Sequence, residues 1–147
     1  MGFKTVVLDD RPAFANREVF DSADRIILLD TFEHALQAVE LDSQSYVVIV
    51  TRGHVHDKTV LAQALRTPAG YIGMIGSRRK RDTIYQALRD EGFTAQDVGR
   101  VYSPIGLGIG GETPEEIAVS IVAEMIKVRA EQGAPRLELK GLSERQD

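Results

Sequence analysis

The chain has 147 residues, of which 43% are hydrophobic and 27% are charged, and its formal net charge is −4. This length and composition are typical of one globular domain, predicted here at residues 1–133 with a polar tail at 134–147. The negative net charge argues against general nucleic-acid binding, and the lack of cysteine excludes disulfides and thiolate ligands within these residues. No signal-peptide pattern and no apolar run of membrane-spanning length is found, which favours a cytoplasmic location.

Short apolar runs that predict β-strands alternate with segments of helical spacing along the chain. The strands are predicted at Thr5–Leu8, Arg25–Leu29, Tyr46–Val50, Tyr71–Ile75 and Val101–Ile105. The helical segments are a short irregular one over Pro12–Phe20, one to about Glu40, one before Pro68, one after Ser77, a short one after Thr94 and a long one from Pro114 to about Glu131. This alternation predicts an α/β fold with a Rossmann-like, open, mostly parallel sheet and helices on both faces.

Polar or glycine-rich segments follow four of the predicted strands. They begin at Asp9, at Thr51, at Gly76 and at Gly106. Because parallel sheets bind ligands beyond the carboxyl ends of their strands, we expect these segments to share one rim. Asp9 and Asp10 are candidates for binding ribose hydroxyls, or alternatively for ordinary loop and capping roles.

The most informative stretch is Tyr71–Arg81, in which a buried strand runs into a glycine-serine turn and then into four consecutive cations. Ser77 is predicted to cap the following helix. Positive side chains are disfavoured at a helix start, and a bound phosphate would offset that cost. Gly76, Ser77, Arg78 and Arg79 are therefore predicted to form an anion site, the alternative being a solvated basic helix edge.

The glycine-rich turn and helix that normally open a dinucleotide fold do not precede the first acid-ending strand. The run Gly106-Leu-Gly108-Ile-Gly-Gly111 matches the spacing, but no strand with an acidic end follows it. It is interpreted as a loop that approaches a ligand or a neighbouring segment closely. The missing central strand would leave two open edges, so rearrangement of the strands, a second copy of the chain, or a fragment of a longer protein are the alternatives. Of these, a homo-oligomer, as a dimer or by strand exchange, is predicted.

His54 and His56, together with Asp57, are close in the sequence, and alternate residues of an extended segment would face the same way. No third ligand is placed beside them, so no metal site is predicted. His54 is instead a candidate for ligand contact. The tail residues 136–140 alternate enough to be compatible with an edge strand.

Several ordered blocks together resemble the C-terminal Rossmann-like domain of the XdhC/CoxI family, the xanthine dehydrogenase accessory proteins. The blocks are Val7–Arg17, Thr51–Asp57, Tyr71–Lys80 and the segment from Pro104 through Ala118. The resemblance implies binding of the molybdenum cofactor, as molybdopterin or its dinucleotide, and a molybdenum hydroxylase as client. The site residues that it implies are Asp9, Asp10, His54, Gly76, Ser77, Arg78, Arg79, Gly106 and Gly108.

Family members also carry a separate N-terminal domain and a strand with a Gly-x-Gly-His-type turn before the part that matches Gly2. Neither feature is found in this sequence, and the resemblance therefore implies a cofactor-binding accessory protein, or a fragment of one, more than an enzyme. The alternatives are a remnant of an NAD(P)-dependent oxidoreductase, and a non-catalytic oligomerisation or partner-binding domain. NAD(P) is the less favoured ligand, because the glycine turn that would bind its pyrophosphate does not precede the first strand.

Overall fold

The computed structural model describes residues 2–133. The chain divides into two compact units, Met1–Pro104 and Ile105–Asp147. The predicted tail and its edge strand lie outside the described residues.

The first unit alternates strands and helices, as predicted. Its strands are β1 (Val6–Asp9), β2 (Arg25–Leu28), β3 (Tyr46–Ile49), β4 (Tyr71–Met74) and β5 (Val101–Tyr102). Its helices are a 3-10 helix (Phe32–Ala38), α1 (His54–Leu65), α2 (Arg78–Asp90) and α3 (Ala95–Gly99). The side chains of Ser77 and Thr94 cap α2 and α3, which confirms both predicted starts.

All paired strands are parallel, but they form two sheets instead of one. β1 pairs with β2 in a two-stranded sheet, and β3, β4 and β5 form a three-stranded sheet in that order. The predicted α/β fold with parallel strands is confirmed. The break in pairing lies between β1 and β3, where the sequence predicts a missing central strand.

The hydrophobic core belongs to the three-stranded sheet and its helices. β4 is buried at all four positions, and Leu61 of α1 and Leu88 of α2 are fully buried. β1 and β2 contribute no residue to the buried cluster, because their side chains are half-buried or exposed.

Three predicted elements differ from the structure. Pro12–Phe20 forms successive turns and no helix; the Asn16 side chain hydrogen bonds to the carbonyl oxygens of Pro12 and Ala13. α1 begins already at His54, inside the segment that the sequence predicts as a loop. β5 has two residues, fewer than the five predicted.

The described part of the second unit consists of a glycine-rich loop and α4 (Pro114–Glu131). Thr113 and Glu116 form a capping box around Pro114, and the helix begins at the predicted residue. Val128 of this helix is buried, whereas Ile117, Ile121 and Met125 are half-buried. None of the described helices is long and apolar enough to cross a membrane, and the cytoplasmic location stays a prediction.

Candidate functional site

The end of β1 carries two carboxylates that both bind arginine. Asp9 Oδ1 accepts hydrogen bonds from the backbone N–H and the Nε of Arg11, and Asp9 Oδ2 accepts one from Arg11 Nη2 at 2.9 Å. This hydrogen bonding by Arg11 lowers the pKa of Asp9 below its ordinary value. Asp10 accepts two bonds from Nη2 of Arg52, at 2.9 and 3.1 Å. Each carboxylate has acceptor positions left for a ligand N–H or O–H group, since a carboxylate offers about four.

The segment after β3 leads directly into α1. Gly53 has a φ of 87° and precedes the helix, which has no side-chain cap at its start. Asp57, in the first turn, is fully buried, and its Oδ1 accepts a hydrogen bond from the backbone N–H of Thr51 at 3.1 Å and another from the Thr51 hydroxyl. The buried carboxylate thus fixes the path of the chain between β3 and α1.

The turn after β4 is built around Gly76 and the side chain of Lys80. Gly76 has a φ of 132°, and a Cβ there would lie 2.6 Å from Cδ of Lys80, so no other residue fits without rearrangement. The aliphatic part of Lys80 crosses this glycine, and its Nζ forms an ion pair with the buried Asp57. Ser77 Oγ accepts a hydrogen bond from the backbone N–H of Lys80 at 3.1 Å and so caps α2.

The four consecutive cations of α2 divide into two pairs with different surroundings. Lys80 pairs with Asp57, and Arg81 donates to the carbonyl oxygen of Ser103 at 3.0 Å and to Asp82 at 2.9 Å. Arg78 and Arg79 are exposed, and neither guanidinium has an ion pair or hydrogen bond within the described part of the chain. Two cations at a helix start are therefore available for a ligand.

Two ion pairs join three of the predicted rim segments. Arg52, after β3, binds Asp10 after β1, and Lys80, after β4, binds Asp57 at the start of α1. The structure therefore brings the segments of Asp10, His54 and Ser77 to one edge of the first unit, as expected from parallel strands.

A metal pair formed by His54 and His56 would require an extended segment, and the structure has a helix there instead. His54 and His56 lie in α1, where residues two apart do not face each other. The ring of His56 packs against Phe32 with centroids 4.9 Å apart, and Asp57 is engaged by Thr51 and Lys80. Residues 2–133 contain no group of three or more side chains that could hold a metal ion.

The Gly106 loop is held within its own unit. The N–H of Gly106 donates to the buried Glu124 at 3.1 Å, and a Cβ at Gly106 would lie 2.4 Å from Oγ of Ser120. A Cβ at Gly108 would have no heavy atom within 4 Å. The close approach at Gly106 is thus to α4, in agreement with the alternative of a neighbouring segment, and a ligand role for Gly106 and Gly108 stays a prediction.

The partners that organise this edge are not evident from the sequence. The motifs of the sequence assign no role to Arg52 and suggest Asp57 only as a metal ligand. They also place Lys80 in the same group of four cations as Arg78 and Arg79. The one signal in the sequence is that a single lysine stands among arginines after a glycine turn. The structure shows this lysine to be largely buried, and a buried lysine needs a partner.

Comparison with known proteins decides the family. The model of the XdhC Rossmann domain matches residues 1–125. The chain belongs to the XdhC Rossmann-domain family. The Rossmann-like fold predicted from the sequence is thereby confirmed.

Three curated relatives agree with the family assignment. The chain is 34% identical over 128 residues to a Bacillus subtilis protein named as a probable subunit of xanthine dehydrogenase, covering 87% of this chain and 36% of the relative. It is 30% identical over 129 residues to "Uncharacterized protein YqeB" of Escherichia coli, covering 88% of this chain and 24% of the relative. It is 24% identical over 105 residues to the E. coli "Molybdenum cofactor insertion chaperone PaoD", covering 71% of this chain and 33% of the relative.

A solved structure has the same fold. The crystal structure described as a xanthine dehydrogenase from Bacillus halodurans superposes with a TM-score of 0.75 at 32% identity, over 88% of this chain and 36% of that chain. The chain thus spans between about a quarter and just over a third of the length of the proteins it matches.

Proposed function

We propose that this XdhC-family chain is an accessory protein, or the Rossmann part of one, that binds the molybdenum cofactor during maturation of a molybdenum hydroxylase such as xanthine dehydrogenase. An accessory role is supported by two relatives, one named for xanthine dehydrogenase and the other as a molybdenum cofactor insertion chaperone. The bound form would be molybdopterin or its dinucleotide, with the phosphate at the start of α2. The chain would act by binding and delivery instead of by catalysis.

The observation that carries the proposal is the pair of unengaged guanidinium groups at the start of α2. No acidic residue lies in the first turn of α2, whereas α1, α3 and α4 each have at least one there. Acidic residues are the usual complement to the positive end of a helix, and an anionic ligand supplies the same complement. Arg78 and Arg79 can each bind a phosphate through two parallel hydrogen bonds.

The remaining predicted residues would contact the rest of the cofactor. Asp9 and Asp10 offer acceptors for pterin N–H or ribose hydroxyl groups, and His54 lies at the uncapped start of α1 near Arg52 in sequence. Lys80 would position the site without touching the ligand, because its Nζ is paired with Asp57 and its stem covers Gly76.

The proposal is tested by titrating the protein with molybdopterin, with its dinucleotide forms and with NAD(P). We expect binding of the pterin forms, and a loss of about tenfold or more in affinity for the Arg78→Ala/Arg79→Ala variant, from the loss of charge-assisted hydrogen bonds. Arg89→Ala is the matched control, because Arg89 is an exposed cation in the last turn of the same helix. Absence of binding by every pterin form, with the fold intact by circular dichroism, would overturn the proposal.

The second part of the proposal is self-association. Within residues 2–104, one edge of β1 and one edge of β3 are not paired with any strand. Unpaired strand edges can pair with another copy of the chain, which supports the predicted homo-oligomer. Light scattering of the purified chain at micromolar concentration should give a mass of at least twice 16.2 kDa. A stable monomer at the same concentration would contradict this part without affecting the cofactor proposal.

A further inference from the structure

α4 carries two rows of side chains that differ in burial. The buried residues of the helix, spaced four apart, are Ser120, Glu124 and Val128. Val119, Val122 and Ile126 form the other row, here called the α4 stripe, and are 60, 39 and 42% exposed. At about 3.6 residues per turn, the two rows lie on nearly opposite sides of the helix. The helix is therefore apolar on the side that it exposes as well as buried on the other.

The spacing of the α4 stripe is that of a helix–helix contact. Its members are three and four residues apart, as in the seam of a coiled coil. Single exposed valines are ordinary on a protein surface, whereas a contiguous apolar row marks an interaction site. The stripe is also centred, since α4 has 18 residues and Val122 is the ninth. A second helix that covers the stripe can therefore lie along the full length of α4.

Charged residues flank the α4 stripe and are separated by sign along the helix. The first turn carries Glu115 and Glu116, both exposed, and the end of the helix carries Lys127 and Arg129. Glu115 and Arg129 lie on the same side as Val122, since each is seven residues, or about two turns, away from it. Glu116 and Lys127 are eleven residues, or about three turns, apart along the other edge. Each edge thus has an acid at the start of the helix and a base near its end.

This pattern is complementary to a second α4 only in the antiparallel orientation. In a parallel pair equal positions meet, so the acidic starts of the two helices would repel each other. When the second helix is reversed about Val122, Glu115 of one copy faces Arg129 of the other. In the same register, to within one residue, Glu116 faces Lys127 and Val119 faces Ile126. Charges that flank a seam in this way set the orientation of paired helices, and antiparallel helix dipoles attract each other.

The contact that Lys127 makes within its own helix leaves it able to bind a second helix. Its Nζ lies 4.0 Å from Oε1 of Glu131, and the two side chains are 61 and 60% exposed. An exposed pair of this length contributes little to stability. A carboxylate of a second α4 can therefore replace Glu131 as the partner or join it.

We propose that the α4 stripe is a contact surface for a second copy of this chain, in which two α4 helices pack antiparallel about a two-fold axis at Val122. The apolar stripes cover each other, and each edge is closed by acid–base pairs between the copies. The inference rests on the proposed self-association and assigns it a surface other than the strand edges of β1 and β3. The occupant is identified by charge, because the partner helix needs bases opposite the start of α4 and acids opposite its end, and α4 itself meets this requirement when it is reversed.

The test uses single-cysteine variants of the full chain, which has no cysteine of its own. Under mild oxidation at micromolar concentration, Val122→Cys should form a disulfide-linked dimer, because the two-fold axis brings its two copies together. The matched control is Val19→Cys, at a valine that is 48% exposed in the first unit. We expect Val122→Cys to react about tenfold faster or more, since thiols held within a complex have a far higher effective concentration than thiols that meet by diffusion.

The direction of packing is tested with two further variants. Val119→Cys alone should link to itself slowly, whereas an equimolar mixture of Val119→Cys and Ile126→Cys should give the mixed dimer, identified by its mass. Circular dichroism confirms that each variant is folded. Self-linking of Val119→Cys as fast as that of Val122→Cys would indicate parallel helices and would overturn the proposal.

The other outcomes separate this surface from the alternatives. If Val122→Cys links no faster than Val19→Cys while light scattering shows a dimer, the strand edges hold the dimer and the α4 proposal is wrong. If the thiol at position 122 is also shielded from a soluble maleimide in a folded monomer, the stripe is covered within the chain itself, and the proposal is again overturned. A monomer with a reactive thiol contradicts both this surface and the proposed self-association.

Discussion

The three-stranded sheet β3–β4–β5 and the two-stranded sheet β1–β2 are both parallel, yet they bury different amounts of apolar surface. The larger sheet supplies Val47, Ile49, Ile72 and Met74 to the core, together with residues of α1 and α2. The smaller sheet supplies none, although its strands contain Val, Leu and Ile side chains. The difference shows that apolar composition is not sufficient for burial; among the strands of residues 2–133, β1 pairs only with β2.

The ion pairs of the two regions also differ in how deeply they are buried. The Lys80–Asp57 pair joins α2 to α1 and has a fully buried carboxylate. The Asp10–Arg52 pair links the ends of the two sheets, and its arginine side chain is 53% exposed. Burial decides how much such a pair matters to stability, since removing one partner of a buried pair leaves an uncompensated charge.

The largest expected effect is that of breaking the buried pair. Asp57→Asn should lower the free energy of unfolding by about 3–5 kcal/mol, because Lys80 loses its counter-charge inside the protein. The matched change Asp10→Asn should cost about 1 kcal/mol or less, as exposed pairs do. Urea unfolding measures both, and equal costs would contradict the contrast between the regions.

Core truncation should give the next largest effect. Leu61→Ala, in α1, should cost about 2–5 kcal/mol because the side chain is fully buried. Leu8→Ala, in β1, should cost about 1 kcal/mol, because a half-buried side chain loses less contact with its surroundings. The same urea experiment compares them, and a Leu8 cost matching that of Leu61 would show that β1 is packed in solution.

The smallest effect concerns the pH dependence of the Asp9–Arg11 pair. Since the pKa of Asp9 is lowered from its ordinary value of 3.8, its ionised form contributes stability above that pH, and the contribution is lost as the pH falls through the folded pKa. Asp9→Asn should therefore reduce the acid-induced loss of stability between about pH 5 and pH 3 by less than about 1 kcal/mol. The control is Asp21→Asn at an exposed position. If Asp9→Asn and the wild type lose stability equally as the pH falls, the Asp9–Arg11 pair does not contribute to that loss.

The elements that the sequence predicts well are those with local signals. Thr113 followed by Pro114 and Glu116 defines the start of α4, and the apolar run from Tyr71 defines β4. The start of α1 is harder to predict, because its N-cap residue is Gly53, which has no side chain to cap the helix.

The connections within the candidate site could not be predicted from spacing. Asp57 and Lys80 are 23 residues apart, and Asp10 and Arg52 are 42 apart. These pairs exist only because parallel strands bring their ends to one edge, and the sequence indicates that edge without indicating which charges neutralise each other. It therefore predicts an anion site at the Ser77 turn but not that two of its four cations are engaged elsewhere.

The central claim is that the cofactor's phosphate lies at the first turn of α2. The most direct measurement is a residue-resolved NMR titration of the labelled chain with molybdopterin under anaerobic conditions. We predict that the backbone amides of Ser77, Arg78 and Arg79 and the guanidinium signals of the two arginines shift most, and that the signals of Arg89 stay in place. Saturable binding that leaves Ser77, Arg78 and Arg79 unchanged would contradict the claim.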